Sequence, residues 1–384
     1  MPKNRLPPFA EQMDQLLGCA SVSSSDPNLD MSNRGVVELL ADWLDRLGFA
    51  TRLEPVDAAS GKYNLIASLG GGTGGLVLAG HADTVPCDEP LWESDPFAAT
   101  RKTAGFYGLG ATDMKGFFAV ALAAIEGLDL RALHKPLTVV ATADEESSMA
   151  GARLLARQGL EPGEAVLIGE PTDLRPVRMH KGVLMQCIRI TGASGHSSNP
   201  ALGNNALDAM HEVLGALLGF RTGLQARYRH AGFHIQVPTL NLGCIHGGDN
   251  PNRICGQCAM QFDLRPLPGM SLDALRDEID ALLAPIAAAR AIDIRHEPLF
   301  AGVAPFEEPA DSALVRRAET LTGTAAQSVA YATEAPFFQS LGKQTLVLGP
   351  GSIDQAHRPN EYLPAAQIAP AIDLYRQFIR HYCC

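Results

Sequence analysis

The sequence lacks a long apolar segment, and it has no concentrated run of basic residues. No apolar run approaches the ~20 residues that a membrane-spanning helix needs. The first residues, MPKNRLPPFAEQMDQLL, lack the apolar block of a secretory signal. The formal net charge is −11, so the chain fits a cationic small molecule or a metal ion better than a phosphate backbone. We therefore expect a cytoplasmic protein that binds neither a membrane nor nucleic acid.

The motifs of three common enzyme classes are also missing. The stretch Gly70–Gly75, GGGTGG, is not followed by the Lys-Ser/Thr pair of a phosphate-binding loop. No GxGxxG joins a predicted strand to a helix, and no GxSxG elbow is present. The sequence therefore disfavours a nucleotide cofactor and a serine nucleophile, and we interpret GGGTGG as a turn.

The cysteines do not form a recognisable framework. All eight are scattered along a large chain, which is not typical of a disulfide-rich secreted domain. Cys255 and Cys258 have CxxC spacing, but a zinc ribbon needs a second such pair. The stretch 253–264 is predicted as a strand, in which residues three apart point to opposite faces. We interpret these cysteines as unligated, reduced thiols, which again favours the cytoplasm.

A length of 384 residues suits two domains better than a single core. Short apolar runs at 76–79, 137–141, 165–168 and 345–348 alternate with helix-like stretches, which is typical of an α/β sheet covered on both faces. Between residues 183 and 302 the predicted order is β-α-β-β-α-β, the pattern of a ferredoxin-like domain. We therefore predict one discontinuous domain, residues 1–182 and 303–384, and an inserted domain, residues 183–302.

Side chains of the kind that bind metal ions follow the predicted strands or precede a predicted helix. In an open α/β sheet the binding site lies beyond the carboxyl ends of the strands, so these side chains are expected to meet at one edge. Each of them alone is explained better as a turn residue or a helix cap. Only the joint pattern predicts a metal site, with Asp83 and Glu145 beside the five ligands His81, Asp113, Glu146, Glu170 and His357.

Two histidines with several carboxylates suit zinc, or a similar borderline divalent ion such as cobalt. With Asp113 as a bridge, His81 and Glu170 complete one site, while Glu146 and His357 complete the other. A bridging carboxylate is needed because two dications held about 3.5–4 Å apart repel each other. Water between two such ions becomes a nucleophile near neutral pH.

Two further acids lie beside these ligands in the sequence. Glu145 is predicted as the general base that takes the proton of the attacking water and passes it to the leaving amine. Asp83 is predicted to accept the second N–H of the His81 ring and so to fix the orientation of that ring.

Four segments resemble the dinuclear zinc exopeptidase and deacylase family: LAGHADTVP at 78–86, GLGATDMKG at 108–116, ADEE at 143–146 and GEPT at 169–172. The resemblance implies the same ligands and base, two divalent ions, and a mixed-sheet catalytic domain with an inserted ferredoxin-like domain for lid closure and dimerisation. It also implies a homodimer formed through that inserted domain. His196, in GHSS at 195–198, resembles the lid histidine that reaches a partner subunit's active site and stabilises an oxyanion.

Within that family, the stretches 249–255, 333–336 and 348–357 are most similar to the bacterial acetylornithine deacetylases. That similarity implies hydrolysis of N2-acetyl-L-ornithine to ornithine and acetate, a step of arginine biosynthesis. Deacylation of acetylcitrulline, acetylmethionine or succinyl-diaminopimelate, or cleavage of a dipeptide, is the alternative within the same fold. A non-catalytic metal-binding protein is an alternative of another class.

The residues that hold the substrate are predicted on chemical grounds. An arginine binds a carboxylate with two parallel hydrogen bonds, and a buried glutamate needs a cation. Glu334 is therefore predicted to face the ornithine ammonium group, although a structural ion pair explains a glutamate or an arginine equally well. The substrate carboxylate is predicted to bind Arg253 or Arg265, with Asn252 and the backbone of Gly351 and Ser352.

Overall fold

The computed structural model of this chain describes residues 6–160 and 163–384. In these residues the helices are α1 (Phe9–Gly18), α2 (Arg34–Arg46), α3 (Lys115–Glu126), α4 (Ala150–Gln158), α5 (Ala206–Arg227), α6 (Leu272–Arg290), α7 (Ala313–Thr322), α8 (Ala335–Ser340) and α9 (Ala365–Cys383). The strands are β1 (Ala50–Asp57), β2 (Lys62–Leu69), β3 (Leu76–His81), β4 (Thr100–Lys102), β5 (Gly105–Tyr107), β6 (Leu137–Thr142), β7 (Ala165–Pro171), β8 (Val177–His180), β9 (Leu184–Thr191), β10 (Thr239–Gly247), β11 (Gln257–Arg265), β12 (Asp293–Pro298), β13 (Phe306–Glu307), β14 (Gln327–Val329), β15 (Gln344–Gly349) and β16 (Tyr362–Pro364).

The chain divides into two units. The first comprises the described residues of Met1–Arg178, Glu308–Gln327 and Thr333–Cys384, and the second comprises Met179–Glu307 and Ser328–Ala332. The domain boundaries stay a prediction, because compactness alone does not show which part folds or moves independently. The predicted domains are residues 1–182 with 303–384, and residues 183–302.

A mixed sheet forms the centre of the first unit, and six of its strands follow the order β1-β2-β6-β3-β7-β15. β3 is parallel to both β6 and β7, and β15 is parallel to β7, whereas β1 and β2 are antiparallel additions at the other side. Every residue of β3, β6 and β7 is buried, because helices cover both faces and the strands are apolar throughout. The predicted α/β fold class with a mixed sheet is confirmed.

Helix α3 packs against the sheet and against α9, and almost its whole length is buried. The ring of Phe117 meets that of Tyr375 edge to face at a centroid distance of 5.7 Å. A Cβ atom at Gly169 would lie 2.0 Å from the Phe117 ring, so only glycine fits in β7 at this point. Replacing a buried phenylalanine by alanine costs about 3–5 kcal/mol. The helix that follows Asp113 is thereby fixed against the strand that carries Glu170.

The second unit contains a four-stranded antiparallel sheet in the order β10-β11-β9-β12. Its elements follow one another as β9-α5-β10-β11-α6-β12, which confirms the ferredoxin-like order expected from the sequence. Alternate residues of β11, such as Met260 and Phe262, are buried in the core that this sheet forms with α5 and α6. Cys255 and Cys258 are free thiols buried in the same core. Across both units, none of the described helices combines the length and the apolar character needed to span a bilayer.

Candidate metal centre

Three neighbouring strands of the first unit deliver metal-binding side chains to one edge of its sheet. His81 is the last residue of β3, Glu170 lies near the end of β7, and Glu146 follows β6 in the chain. Asp113 lies immediately before α3, and His357 lies in the segment between β15 and β16. Since β3, β6 and β7 are parallel, their carboxyl ends meet at the same edge, as in other open α/β sheets.

The first group of ligands consists of His81, Asp113 and Glu170. The His81 Nε2 atom lies 3.1 Å from Asp113 Oδ1 and 3.8 Å from Glu170 Oε1, and all three residues are buried. Burial alone would lower the pKa of His81, but its hydrogen bond to Asp113 and the charge of Glu170 raise it well above the ordinary value. Burial raises the pKa of Glu170, and the charge of Asp113 raises it further.

The second group consists of Asp113, Glu146 and His357. The His357 Nε2 atom lies 3.4 Å from Asp113 Oδ2 and 3.2 Å from Glu146 Oε2. Hydrogen bonds to the same two carboxylates raise the pKa of His357 to about 10. Asp113 therefore presents one oxygen to each histidine, as a bridging ligand must.

The donor set fits two divalent cations. In each group the ligand atoms all lie within 4.8 Å of one another. Imidazole and carboxylate are the ligands that zinc and similar ions accept. The four carboxylates of Asp113, Glu145, Glu146 and Glu170 carry four negative charges when ionised, which two dications would balance. His81, Glu145 and Glu146 form a third such group, so Glu145 is close enough to this centre to serve as a ligand or as a base.

Asp83 fixes the backbone that carries Glu145 and Glu146. Its carboxylate accepts the N–H of Glu145 at 3.3 Å and the N–H of Glu146 at 3.1 Å. The predicted bond from the His81 ring is different, because Nδ1 lies 3.0 Å from the backbone carbonyl oxygen of Asp83 and 3.7 Å from its carboxylate. Burial raises the pKa of Glu145 well above its ordinary value, and the nearby charge of Glu170 raises it further.

Lys62 holds the same loop from the opposite side, and sequence reasoning missed it. The buried Lys62 ammonium contacts Asp144 Oδ1 at 2.8 Å and Asp30 Oδ1 at 2.7 Å. Ser23 also donates to Asp144, at 2.9 Å. The lysine opens a strand far from this loop in sequence, so no local spacing points to the contact.

Glu361 is a second residue to which the sequence analysis gave no role. It is fully buried, and its carboxylate accepts the backbone N–H groups of Gly110, Thr112 and Asp113. The pKa of Glu361 is raised to about 8. Burial and the charge of Asp113 raise it, and the hydrogen bonds from these three N–H groups partly offset the rise.

Three of the predicted substrate residues lie in the first unit, and the backbone N–H of one of them, Gly351, is already bonded. The Gly351 N–H donates to Gln367 at 2.6 Å, so it is not a free donor for a substrate carboxylate. The Ser352 hydroxyl accepts the N–H of Asp354 at 3.4 Å. Glu334 is fully buried, and burial raises its pKa to about 7, although a hydrogen bond with the Thr142 side chain lowers it.

The remaining predicted residues lie in the second unit. His196 and Arg253 form a short antiparallel bridge, and the Ser197 N–H donates to the Asn252 carbonyl at 3.0 Å. Arg253 pairs with Asp249 in its own loop. Arg265 pairs with Asp263 at 2.7 Å, which is the structural ion pair left open by the sequence. The structure thus brings His196, Asn252 and Arg253 together in one loop region. Arg265 is the last residue of β11.

Solved structures of metallopeptidases have the same fold over nearly the whole chain. The M20 family metallo-carboxypeptidase Sso-CP2 from Sulfolobus solfataricus matches with a TM-score of 0.78 and 18% identity, over 98% of this chain and 99% of that one. Human carnosine dipeptidase 1 matches with a TM-score of 0.70 and 17% identity, over 97% and 96%. The Bacillus subtilis YXEP protein, a dinuclear metal-binding peptidase of the M20 family, matches with 0.65 and 14%, over 97% of each chain.

A sequence model of peptidase family M20/M25/M40 matches residues 77–381. The matched range contains every ligand of the two groups, from His81 to His357. The chain belongs to peptidase family M20/M25/M40 and is a metal-dependent hydrolase of that family.

Proposed function

We propose that this protein hydrolyses the amide bond of an N-acyl amino acid, with N2-acetyl-L-ornithine as its substrate in arginine biosynthesis. The observation that supports amide hydrolysis is the sharing of Asp113 by two ligand groups, with the buried Glu145 beside both. His81, Asp113 and Glu170 would hold one ion, and Asp113 with Glu146 and His357 the other; zinc fits these donors, and cobalt is the alternative. When bound, such ions polarise the amide carbonyl and lower the pKa of water.

The residues of the chain supply the proton transfers. Glu145 takes a proton from the water whose oxygen attacks the amide carbon, and the carbon–nitrogen bond then breaks as Glu145 returns that proton to the amine. The products are a carboxylic acid, here acetate, and the free amino acid. The raised pKa of Glu145 suits a group that must accept a proton and then donate it. Asp83 keeps the Glu145 backbone in place through the N–H bond described above.

The buried Glu334 carboxylate favours a substrate whose side chain carries a positive charge. A buried carboxylate that forms no ion pair with the described residues is costly, and an ammonium group would satisfy it. Because Glu334 is fully buried, this proposal requires that residues 333–334 move when the substrate binds. The substrate carboxylate would bind Arg253 with Asn252 after release of Asp249, or Arg265 after release of Asp263.

The test compares acetylornithine with acetylcitrulline, acetylmethionine and a dipeptide, using metal-loaded and metal-stripped protein. We expect acetylornithine to have the highest kcat/KM. Glu334→Gln should raise the KM for acetylornithine more than the KM for acetylmethionine, because only the first carries a cation. An equal change for both substrates would remove Glu334 from recognition. Preference for the dipeptide would favour a dipeptidase, and binding of metal without turnover would favour a non-catalytic protein.

We also propose a cytoplasmic location, which agrees with the free thiols. We further propose a homodimer formed through the second unit. Within the described residues, β10 pairs on one side only, with β11, and its Ile245 side chain is 48% exposed. The helix α5 beside it exposes Leu207. An open strand edge with apolar neighbours is a surface for a second copy. Light scattering of Ile245→Glu tests this, and a wild-type monomer would contradict it.

A further inference from the structure

A single buried carboxylate organises the loop that presents Asp113. Glu361 Oε1 accepts the N–H of Thr112 at 2.7 Å and the N–H of Asp113 at 2.9 Å, while Oε2 accepts the N–H of Gly110 at 3.1 Å. Only 1% of Glu361 is exposed, so water does not substitute for it. Three donors from one loop thus depend on one side chain that lies 248 residues further along the chain from Asp113.

The loop is shaped so that its N–H groups converge. Gly110 has a φ of +82°, a conformation that favours glycine, and a Cβ atom there would lie 2.8 Å from side-chain atoms of both Lys115 and Thr84. Successive N–H groups that point into one concavity form a site for an anion. Glu361 fills that site from within the protein. Without it, the loop would keep buried N–H groups that have no acceptor.

The backbone on both sides keeps Glu361 in register with the loop. Tyr362 of β16 pairs with Tyr107 of β5, and the Gly108 N–H donates to the carbonyl oxygen of Glu361 at 3.0 Å. The Thr112 hydroxyl donates to the carbonyl oxygen of Tyr362 at 2.7 Å. The side chain of Glu361 and its neighbouring backbone therefore act together on one loop.

The same segment also supplies a ligand. His357 precedes Glu361 by four residues and contacts Asp113 Oδ2 at 3.4 Å. Residues 357–361 therefore hold Asp113 at two points, with His357 beside its carboxylate and Glu361 on its backbone N–H. Since Asp113 is shared by the two ligand groups, its direction affects both.

We propose that Glu361 is a positioning residue for metal binding, which aims the Asp113 carboxylate at the two ions. The inference rests on the dimetal site of the proposed function. Groups that orient a metal ligand typically change metal affinity by about 10–100-fold when they are replaced. Glutamine in place of Glu361 offers one oxygen, and its NH2 group would face an N–H donor, so at least one loop bond is lost.

The test titrates metal-free Glu361→Gln with Zn²⁺ in a calorimeter and records the visible spectrum of its Co²⁺ form. Glu308→Gln is the matched control, since Glu308 is also buried in the first unit and accepts one backbone N–H, that of Thr345, at 3.1 Å. We expect Glu361→Gln to bind at least one ion about 10–100-fold more weakly and to change the Co²⁺ spectrum. Glu308→Gln should lose stability only.

Wild-type affinity and an unaltered spectrum in Glu361→Gln would overturn the role of Glu361. If that variant does not fold, Glu361→Asp keeps the carboxyl group on a shorter side chain that does not reach all three donors. A folded Glu361→Asp with wild-type Zn²⁺ affinity would overturn it equally. If the wild-type protein itself binds no ion, the dimetal site is wrong, which is a different result from normal binding in both the wild type and the variant.

Discussion

Glu145→Gln separates the two roles that the geometry allows for Glu145. The side chain lies within reach of His81 and Glu146, so it is a base or a third carboxylate ligand. Glutamine has nearly the same shape, and the bond from the Glu145 N–H to Asp83 involves only the backbone of residue 145. The substitution therefore removes the proton acceptor and leaves the loop in place.

The expected loss follows from the chemistry of proton transfer. A positioned general acid–base group contributes about 10²–10⁴-fold to the rate, which corresponds to about 3–5 kcal/mol at 1.36 kcal/mol for each factor of ten. We expect kcat for acetylornithine to fall by this factor, with KM nearly unchanged. Metal content, measured by mass spectrometry of the digested protein, should equal that of the wild type.

Glu146→Gln is the matched comparison, because Glu146 is the adjacent acid and contacts His357 at 3.2 Å. That variant should lose metal affinity as well as activity. Two results would refute the reasoning about Glu145. Full activity of the metal-loaded Glu145→Gln protein would show that Glu145 is not the base, and loss of an ion from that variant would show that it is a ligand.

Two buried lysines give further predictions. Burial lowers the pKa of Lys115 from 10.5 to about 8, so the folded metal-free protein carries a penalty of about 3 kcal/mol below pH 8. This penalty disappears as pH rises towards 10.5, so the free energy of unfolding should increase between pH 8 and 10.5. Lys115→Met should abolish that increase. An unchanged pH profile of this variant in denaturant titrations would contradict the assignment. Lys62→Met leaves Asp30 and Asp144 without their cation, so it should cost about 3 kcal/mol and lower kcat by loosening the Glu145 loop. Wild-type stability and kcat would remove that role.

The sequence predicts those parts of the fold in which each strand is recognisable from its own residues. β3, β6 and β7 are short apolar runs because both faces are covered, and such runs stand out without any knowledge of the partners. β1 was missed because only one of its eight residues, Glu54, is buried, so the strand has no apolar period. Helix α5 continues to Arg227 past two glycines, a residue type that weakens a helix. Its glycines 219 and 223 have open space around the missing Cβ atom and do not end it.

The candidate ligands were predictable because histidines and acids at strand ends have a chemical identity that the sequence displays. The groups that position them were not, because their partners are backbone atoms or distant side chains. The bonds from the loop N–H groups to Glu361, and from the Glu145 N–H to Asp83, involve atoms that every residue except proline possesses. The contact between Lys62 and Asp144 likewise depends on the tertiary structure, because the two residues are far apart in sequence.

The most direct measurement is anomalous diffraction from crystals grown with Zn²⁺. We expect two peaks about 3.5–4 Å apart, one beside His81 and Glu170, the other beside Glu146 and His357, with Asp113 contacting both. A single peak, or peaks away from Asp113, would contradict it.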